Sequence, residues 1–316
     1  MSHGADDLLL LLAVVRHGSY AGAAADLGLS HTTVSRRMAS LEKTVGARLL
    51  VRTGEMWEPS ELGRKFVAAG EEIESALGSL PLGAGGRGST VNGVVRALAP
   101  DGFGGVVMGA AMRRLIEEHP GVRLEMINAA RRAQTNPVGI DLEVVVGRPE
   151  VSRKEAFHLA DYSLGVYASR DYLAAHTPPR TPDQVQDHPL VYFVESMQDV
   201  AELDIPRRRF PRMRQGVGAT SSVVHVELTR AGAGIGLLPC YLAERAGDLV
   251  RLFPEELWFP VEYWVVSRAD LLRRPAVQAV MTAIRAAVAD MRDELVAAPT
   301  PARAPSPAPV PAPDPD

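Results

Sequence analysis

Residues 19–52, SYAGAAADLGLSHTTVSRRMASLEKTVGARLLVR, decide how the N-terminal part of this chain folds. Ser19 stands at a helix N-cap, where a short hydroxyl side chain accepts a hydrogen bond from a first-turn amide. The alanines at 21 and 23–25 let a second helix approach closely. Gly28 makes the turn and Ser30 caps the next helix. From there Val34, Met38, Leu41 and Val45 recur every three to four residues, forming one apolar helical face. The opposite face carries Thr32 and Arg36, flanked by Thr33 and Arg37. Two short helices joined by a tight turn, the second basic and followed by a basic hairpin-like segment, form a device that sets a helix in the DNA major groove and braces it on phosphates.

The charge distribution agrees. The whole chain of 316 residues has a formal net charge of -4, so it is not a general polyanion binder. Between residues 30 and 52, however, Arg36, Arg37, Lys43, Arg48 and Arg52 stand against the single acid Glu42. Side chains near the N-terminus of a recognition helix reach base edges, which makes Thr32, Thr33 and Arg36 candidates for base contact. His31 and Ser35 fall at the groove edge or on phosphate, Arg37 is a further contact candidate, and Arg52 is placed to grip phosphate. For any one of these positions, a solvated surface residue is the alternative. Upstream, Asp6 to Arg16 reads as a helix that buries its leucines. The run Leu8–Val15 is preceded by Asp6 and Asp7 rather than by positive charge, so it is not read as a signal peptide, and it is too short to span a bilayer.

The remaining chain separates into segments. Residues 1–59 hold the helical basic unit, and residues 60–80 form one long helix capped by Ser60. Along it Leu62, Phe66, Ala69, Ile73, Ala76 and Leu80 follow at alternating spacings of four and three, with Leu77 beside them. Such a seam serves either as packing within its own domain or as a dimerising face; the second reading fits a two-fold DNA reader. Residues 81–92, PLGAGGRGSTVN, form a hinge. Residues 93–296 alternate strand-like and helix-like runs, as expected of two α/β lobes, the second over about 161–261. Strands are expected at 93–99, 122–127, 140–146, 162–169, 190–194, 234–239 and 261–267. Helices are expected at 104–118, 222–231 and, as one closing element, 275–295. Residues 297–316 carry eight prolines in twenty positions, a composition that cannot build a core.

Two places where a strand leads directly into a helix offer free amides and a positive dipole end to a ligand: Pro100-Asp101-Gly102-Phe103 and Thr220-Ser221-Ser222. Helix capping by Asp101 and Ser221 accounts for the same residues. Arg148, following a buried strand, is a third candidate. A carboxylate at 101 already fills the anion position, which implies an effector that donates to Asp101.

With these residues in view, positions 8–63 resemble the winged helix-turn-helix of the LysR-type transcriptional regulators. The pattern is carried by Gly18, Ser19, Tyr20, Ala23, Ala24, Ser30, Val34, Ser35, Arg36, Leu41, Glu42, Gly46, Leu49, Arg52 and Gly63. Three positions depart from it: His31 stands where the family usually has Gln, Leu50 replaces a Phe, and Pro59-Ser60 replaces Leu-Thr. The segments HPGVRLEM, GIDLEVVVGRP, LGVYASRDYLAAH and RAGAGIGLLP extend the resemblance, more weakly, to the family's effector-binding domain, which is similar to periplasmic solute-binding proteins. The amphipathic helix expected between Asn128 and Gly139 is missing from the sequence. The resemblance implies an N-terminal winged helix-turn-helix, a linker helix and an α/β two-lobed effector-binding domain. It further implies a cytoplasmic homodimer or homotetramer that binds an interrupted inverted repeat of double-stranded DNA, responds to a small-molecule effector between the lobes and, if an activator, meets RNA polymerase.

Other chemistries lack their motifs. No G-x-S-x-G or Walker A pattern occurs, and Gly232, Gly234 and Gly236 have the wrong spacing for a dinucleotide site. No metal, cofactor, membrane partner or enzymatic activity is expected. Cys240, the single cysteine, lies in an apolar run and reads as a core thiol. The competing reading is a small-molecule-binding protein or enzyme with a DNA-binding appendage, which needs a catalytic constellation or an export signal.

Overall fold

The computed structural model describes residues 4–54, 56–78, 91–128, 139–150, 154–194 and 201–298. In chain order the N-terminal part holds α1 (Ala5–His17), α2 (Tyr20–Leu27), α3 (His31–Val45), β1 (Leu50–Thr53), β2 (Met56–Pro59) and α4 (Glu61–Gly78). Next come β3 (Asn92–Ala99), α5 (Asp101–Phe103), a π turn at Gly104–Met108, α6 (Gly109–Glu118), β4 (Gly121–Asn128), β5 (Leu142–Val146) and β6 (Glu155–Ser169). Then follow α7 (Arg170–Ala175), β7 (Leu190–Phe193), α8 (Ile205–Arg209), β8 (Gln215–Ala219), α9 (Ser222–Arg230), β9 (Ile235–Pro239) and α10 (Cys240–Ala246). The chain closes with β10 (Leu249–Leu252), β11 (Trp258–Ser267), α11 (Pro275–Asp290) and α12 (Arg292–Val296). Among the described residues no helix is long and apolar enough to cross a membrane.

The chain divides into two compact units, residues 1–160, 195–204 and 262–292 in one and residues 161–194, 205–261 and 293–316 in the other. The first unit opens with the three-helix head. Leu10, Leu11, Leu12 and Val14 of α1 meet Ala23 and Ala24 of α2 and Val34, Met38 and Leu41 of α3 in one buried core. Each turn has its own chemistry: Gly18, Gly28 and Gly46 adopt φ of 62°, 63° and 75° at the ends of the three helices, a region that costs β-carbon-bearing residues. Strands β1 and β2 pair antiparallel as the wing, Leu50 opposite Pro59 and Thr53 opposite Met56. Ser60 caps α4 by accepting from the Gly63 amide at 2.9 Å. Gly63 has no alternative, because a Cβ there would lie 1.9 Å from the Leu49 carbonyl oxygen.

The rest of the first unit is a sheet in the order β4-β3-β5-β11. β3 runs parallel to β4 and β5, and β11 is antiparallel to β5. The run Leu142–Val145 is buried on both faces, Glu143 included, whose carboxylate accepts from Lys154 at 3.2 Å, and its two neighbours run in opposite directions. The helix expected at 104–118 begins earlier, at Asp101, and passes through the π turn before α6.

The second unit has the order β6-β9-β7-β8 with β10 on β6. β7 is parallel to both β8 and β9, while β6 is antiparallel to β9 and β10. Strands β8 and β10 were not anticipated; GVGA and LVRL are too short and too mixed to show a period. Cys240 is buried, and burial pushes its thiol above the ordinary value. The single closing helix expected over 275–295 is broken at Met291, whose ψ of 10° leaves the helical region. The break sends α12 to the second unit, where the Val296 carbonyl accepts from Ser163 Oγ at 2.6 Å and from Trp258 Nε1 at 3.1 Å.

Candidate nucleic-acid interface and effector-domain sites

Helix α3 is held from behind and open in front. Val34, Met38 and Leu41 are buried, and Val45 is half-buried. Ser30 caps its start, accepting from the Thr33 amide at 3.2 Å and sharing a 2.8 Å hydrogen bond with the Thr33 hydroxyl. Thr33 is thereby engaged in the cap and half-buried, whereas His31, Thr32 and Arg36 are exposed and Ser35 is half-buried. His31 leans edge-on toward the Tyr20 ring, 6.0 Å away. Tyr20 in turn stacks on Trp57 at 5.1 Å, so Trp57 packs from wing strand β2 against the head core. Burial pushes the Tyr20 phenol above its ordinary value.

The basic residues divide by partner. Arg37 donates to Asp7 of α1 through two nitrogens at 2.9 and 2.7 Å, bracing α3 on α1. Arg48 pairs with Glu42 at 2.9 Å. Among the described residues, Arg36 has no hydrogen bond or ion pair, and Arg52 makes only a 3.2 Å bond to the Gly54 carbonyl. Arg36 and Arg52 therefore keep most of their donors uncommitted among the described residues, and Arg37 is partly committed within the head.

Glu42 has a role that the sequence reading missed. Its buried carboxylate accepts from the Leu49 and Leu50 amides at 2.8 and 3.1 Å, fixing the entry to the wing against α3. A glutamate in a basic stretch looks solvated, and its partners lie seven and eight residues away. The available signals were its place beside the core residue Leu41 and its match to the helix-turn-helix pattern.

On α4 the residues turned into the unit are Gly63, Val67 and Gly70, with Leu62 and Phe66 half-buried against the head core. Ala69 and Ile73 are half-buried, and Leu77 is exposed. Leu80 and the side chain of Ala76 lie outside the described residues, as do the hinge residues 81–90, most of the stretch from Asn128 to Gly139, and the tail from residue 299.

In the first unit, Asp101 is the first residue of α5 rather than its cap; the cap position is Pro100. The Asp101 carboxylate accepts from the Gly102 amide at 2.9 Å, so the protein's own anion stands at this helix end. Gly102 is buried, and the Phe103 ring is fully buried, edge-on to Tyr263 at 4.9 Å. Phe103 is a core residue, which leaves a ligand nothing but its backbone. Arg148 is exposed and lies 5.4 Å from the centre of the Trp264 ring, a cation–π contact. In the second unit, Ser221 caps α9, accepting from the Val224 amide at 3.1 Å. Thr220 is exposed, Ser222 is buried, and Val223 and Val224 are exposed on the first turn.

Comparison with known proteins follows the same division of the chain. Residues 5–64 match the family described as bacterial regulatory helix-turn-helix protein, lysR family, and residues 88–289 match the LysR substrate binding domain. The transcriptional regulator CrgA of Neisseria meningitidis is 26% identical over 271 residues, spanning 81% of this chain and 87% of CrgA. A full-length OxyR variant from Pseudomonas aeruginosa superposes with a TM-score of 0.68 at 16% identity, covering 90% of this chain and 95% of that one. ArgP from Mycobacterium tuberculosis gives 0.67 at 20% identity, covering 91% and 97%. The two matched segments cover the DNA-reading head and the α/β units in one chain, which belongs to the LysR family of transcriptional regulators with an effector-binding domain.

Proposed function

We propose that this regulator reads an interrupted inverted repeat as a dimer or dimer of dimers, placing the N-terminal half of α3 in the major groove of each half-site. The observation that carries the reading is the two-sided character of α3: a face locked by Val34, Met38 and Leu41, and an opposite face presenting exposed Thr32 and Arg36, which has no ion pair among the described residues. In this reading Arg36 contacts base edges with Thr32, His31 and Ser35 at the groove edge, Thr33 supports the cap, and Arg52 holds phosphate from the wing. The exposed or half-buried apolar residues of α4 (Leu62, Phe66, Ala69, Ile73 and Leu77) form the seam that joins two heads; Leu80 and the Ala76 side chain lie outside the described residues.

The effector is a small molecule taken up by the C-terminal domain. Asp101 and Arg148 on the first unit and Thr220, Ser221 and Ser222 on the second are the candidate contacts. Because Asp101 already occupies the anion position of its helix end, the effector offers it a donor. Occupancy acts on DNA binding only through a difference in affinity for two arrangements of the domain.

Electrophoretic mobility shift on the region upstream of the protein's own gene, at several salt concentrations, tests the reading. Sequence-selective, salt-sensitive binding with two protected half-sites is expected. Equal affinity for operator and random DNA would overturn it.

A further inference from the structure

Three residues apart on α4, Glu71 and Glu74 face the interior of the first unit, and each is claimed by an arginine from a different side. Arg16, at the end of α1 in the head, donates to both oxygens of Glu74 at 2.6 and 2.5 Å. Arg268, just after β11 in the effector-binding domain, donates to Glu71 and braces itself on Asp270 at 3.0 and 2.8 Å. The loop before β5 completes the contact: the Gly139 amide donates to Glu71 at 2.9 Å. Gly139 has φ 77°, and a Cβ there would stand 2.6 Å from Arg16 Nε, so only glycine lets this loop close over the arginine.

The charges are well matched. Burial opposes ionisation of Glu74, yet the Arg16 guanidinium holds its carboxyl below the usual range. Burial dominates at Glu71 and raises it, with the Gly139 amide and Arg268 working in the opposite direction. The surroundings are those of a contact that can open. A cavity of about 130 Å³ lies beside Glu71 and Arg268, lined in part by Arg64, Val67, Ile140 and Lys154. Arg16 Nε is buried with no hydrogen-bond partner among the described residues. These ion pairs are partly buried, so they repay little beyond their desolvation, and a void forfeits dispersion contacts; the junction is specific in geometry and weak in net energy. A permanent domain interface would instead be closed and apolar.

We propose that Glu71, Arg268 and Gly139 form an ionic latch between the linker helix and the effector-binding domain, through which the state of that domain reaches the DNA-reading head. Arg16 and Glu74 carry the constraint onward, because Arg16 belongs to α1, which packs directly against α3. A shift of the Gly139 loop or the Arg268 turn by an ångström breaks the hydrogen bonds to Glu71 and frees α4 to rotate with its head. The consequence for DNA rests on the function proposed above; the latch itself does not.

The test is a double-mutant cycle on the full-length protein with Glu71→Gln and Arg268→Gln, read by hydrogen–deuterium exchange over residues 64–78 and by operator affinity. Each single variant is expected to lower protection of α4 by roughly tenfold, and the double variant to add less than about twofold, the signature of a shared interaction. Operator affinity is expected to change at least about fivefold in the same non-additive pattern. Arg114→Gln, which removes the surface pair to Asp290, is the control and leaves both readouts unchanged. Should Arg268→Gln fail to fold, Glu71→Gln from the helix side and Gly139→Ala from the loop carry the test, since each perturbs the same contact. Unchanged or additive exchange overturns the latch. Altered exchange with unaltered operator affinity overturns the coupling. Loss of all sequence-selective DNA binding in the wild type sinks the proposed function and leaves the exchange result to decide the latch.

Discussion

Helices α3 and α9 begin in the same way, and the proposed function gives them different uses. Each starts at a serine whose Oγ accepts from the amide three residues on, at 3.2 Å for Ser30 and 3.1 Å for Ser221. After the cap they diverge. α3 exposes His31, Thr32 and Arg36 and buries nothing before Val34, whereas α9 buries Ser222 at once and exposes two valines, Val223 and Val224. A helix that reads a duplex needs long polar side chains standing clear of its own domain. A helix that receives a small molecule works through its cap, its amides and a little apolar surface. Information of the first kind is written in side-chain identity, while the second kind is written mostly in backbone placement.

The largest effects should come from what holds α3 in place. Met38→Ala removes a fully buried side chain from the head core and should cost about 2–5 kcal/mol. The loss should appear as a lower unfolding transition of the head, followed by hydrogen exchange of residues 5–60, with the α/β units unaffected. Retained protection of the head would mean that the α3 face is not its core. Glu42→Ala comes next. It strips the acceptor from the Leu49 and Leu50 amides, and leaving such groups buried and unpaired costs about 1–3 kcal/mol each. The same exchange profile should show β1 and β2 opening before α1.

The reading face itself should alter binding without altering stability. Arg36→Ala should weaken operator binding roughly 5- to 100-fold and relax the choice of bases, with little change on random DNA. Arg52→Ala should weaken both kinds of DNA alike and lower the slope of log affinity against log salt by about one. Fluorescence anisotropy on operator and scrambled duplexes at several salt concentrations separates the two outcomes. An equal effect of Arg36→Ala on both duplexes would place it on phosphate and erase half of the contrast with α9.

This contrast also explains what could be read from the chain. The head was legible because its constraints are local: 34, 38 and 41 return at the helical period, serines stand at the caps, and glycines stand at the three helix ends that require positive φ. Glu42 was opaque because its partners are amides across a turn. Phe103 looked like a ligand residue at a helix start and proved to be core, because its neighbour Tyr263 lies 160 positions away in the chain. The break at Met291 was hidden for a related reason: the apolar period continues through it, and the chain bends there to bring the Val296 carbonyl to Ser163 and Trp258. Contacts between distant segments are set by the closed fold and leave no periodic trace.

The smallest predicted effects are the most discriminating for α9. Ser30→Ala and Ser221→Ala each remove one cap hydrogen bond of nearly equal geometry, and each should cost about 1 kcal/mol of stability. That matched cost is the baseline. If Ser221 serves only as a cap, its variant loses stability and binds the effector as the wild type does, once both are compared well below their unfolding temperatures. If the Ser221 hydroxyl or the amides it orders also touch the effector, affinity falls several-fold beyond that baseline, because a ligand contact and a cap draw on the same oxygen. Ser30→Ala controls for any general loosening, since it leaves the second unit untouched. Effector affinity measured by calorimetry on the matched pair therefore separates the two uses of one serine, with Ser221→Thr, which keeps an oxygen at the cap, expected to recover most of the loss.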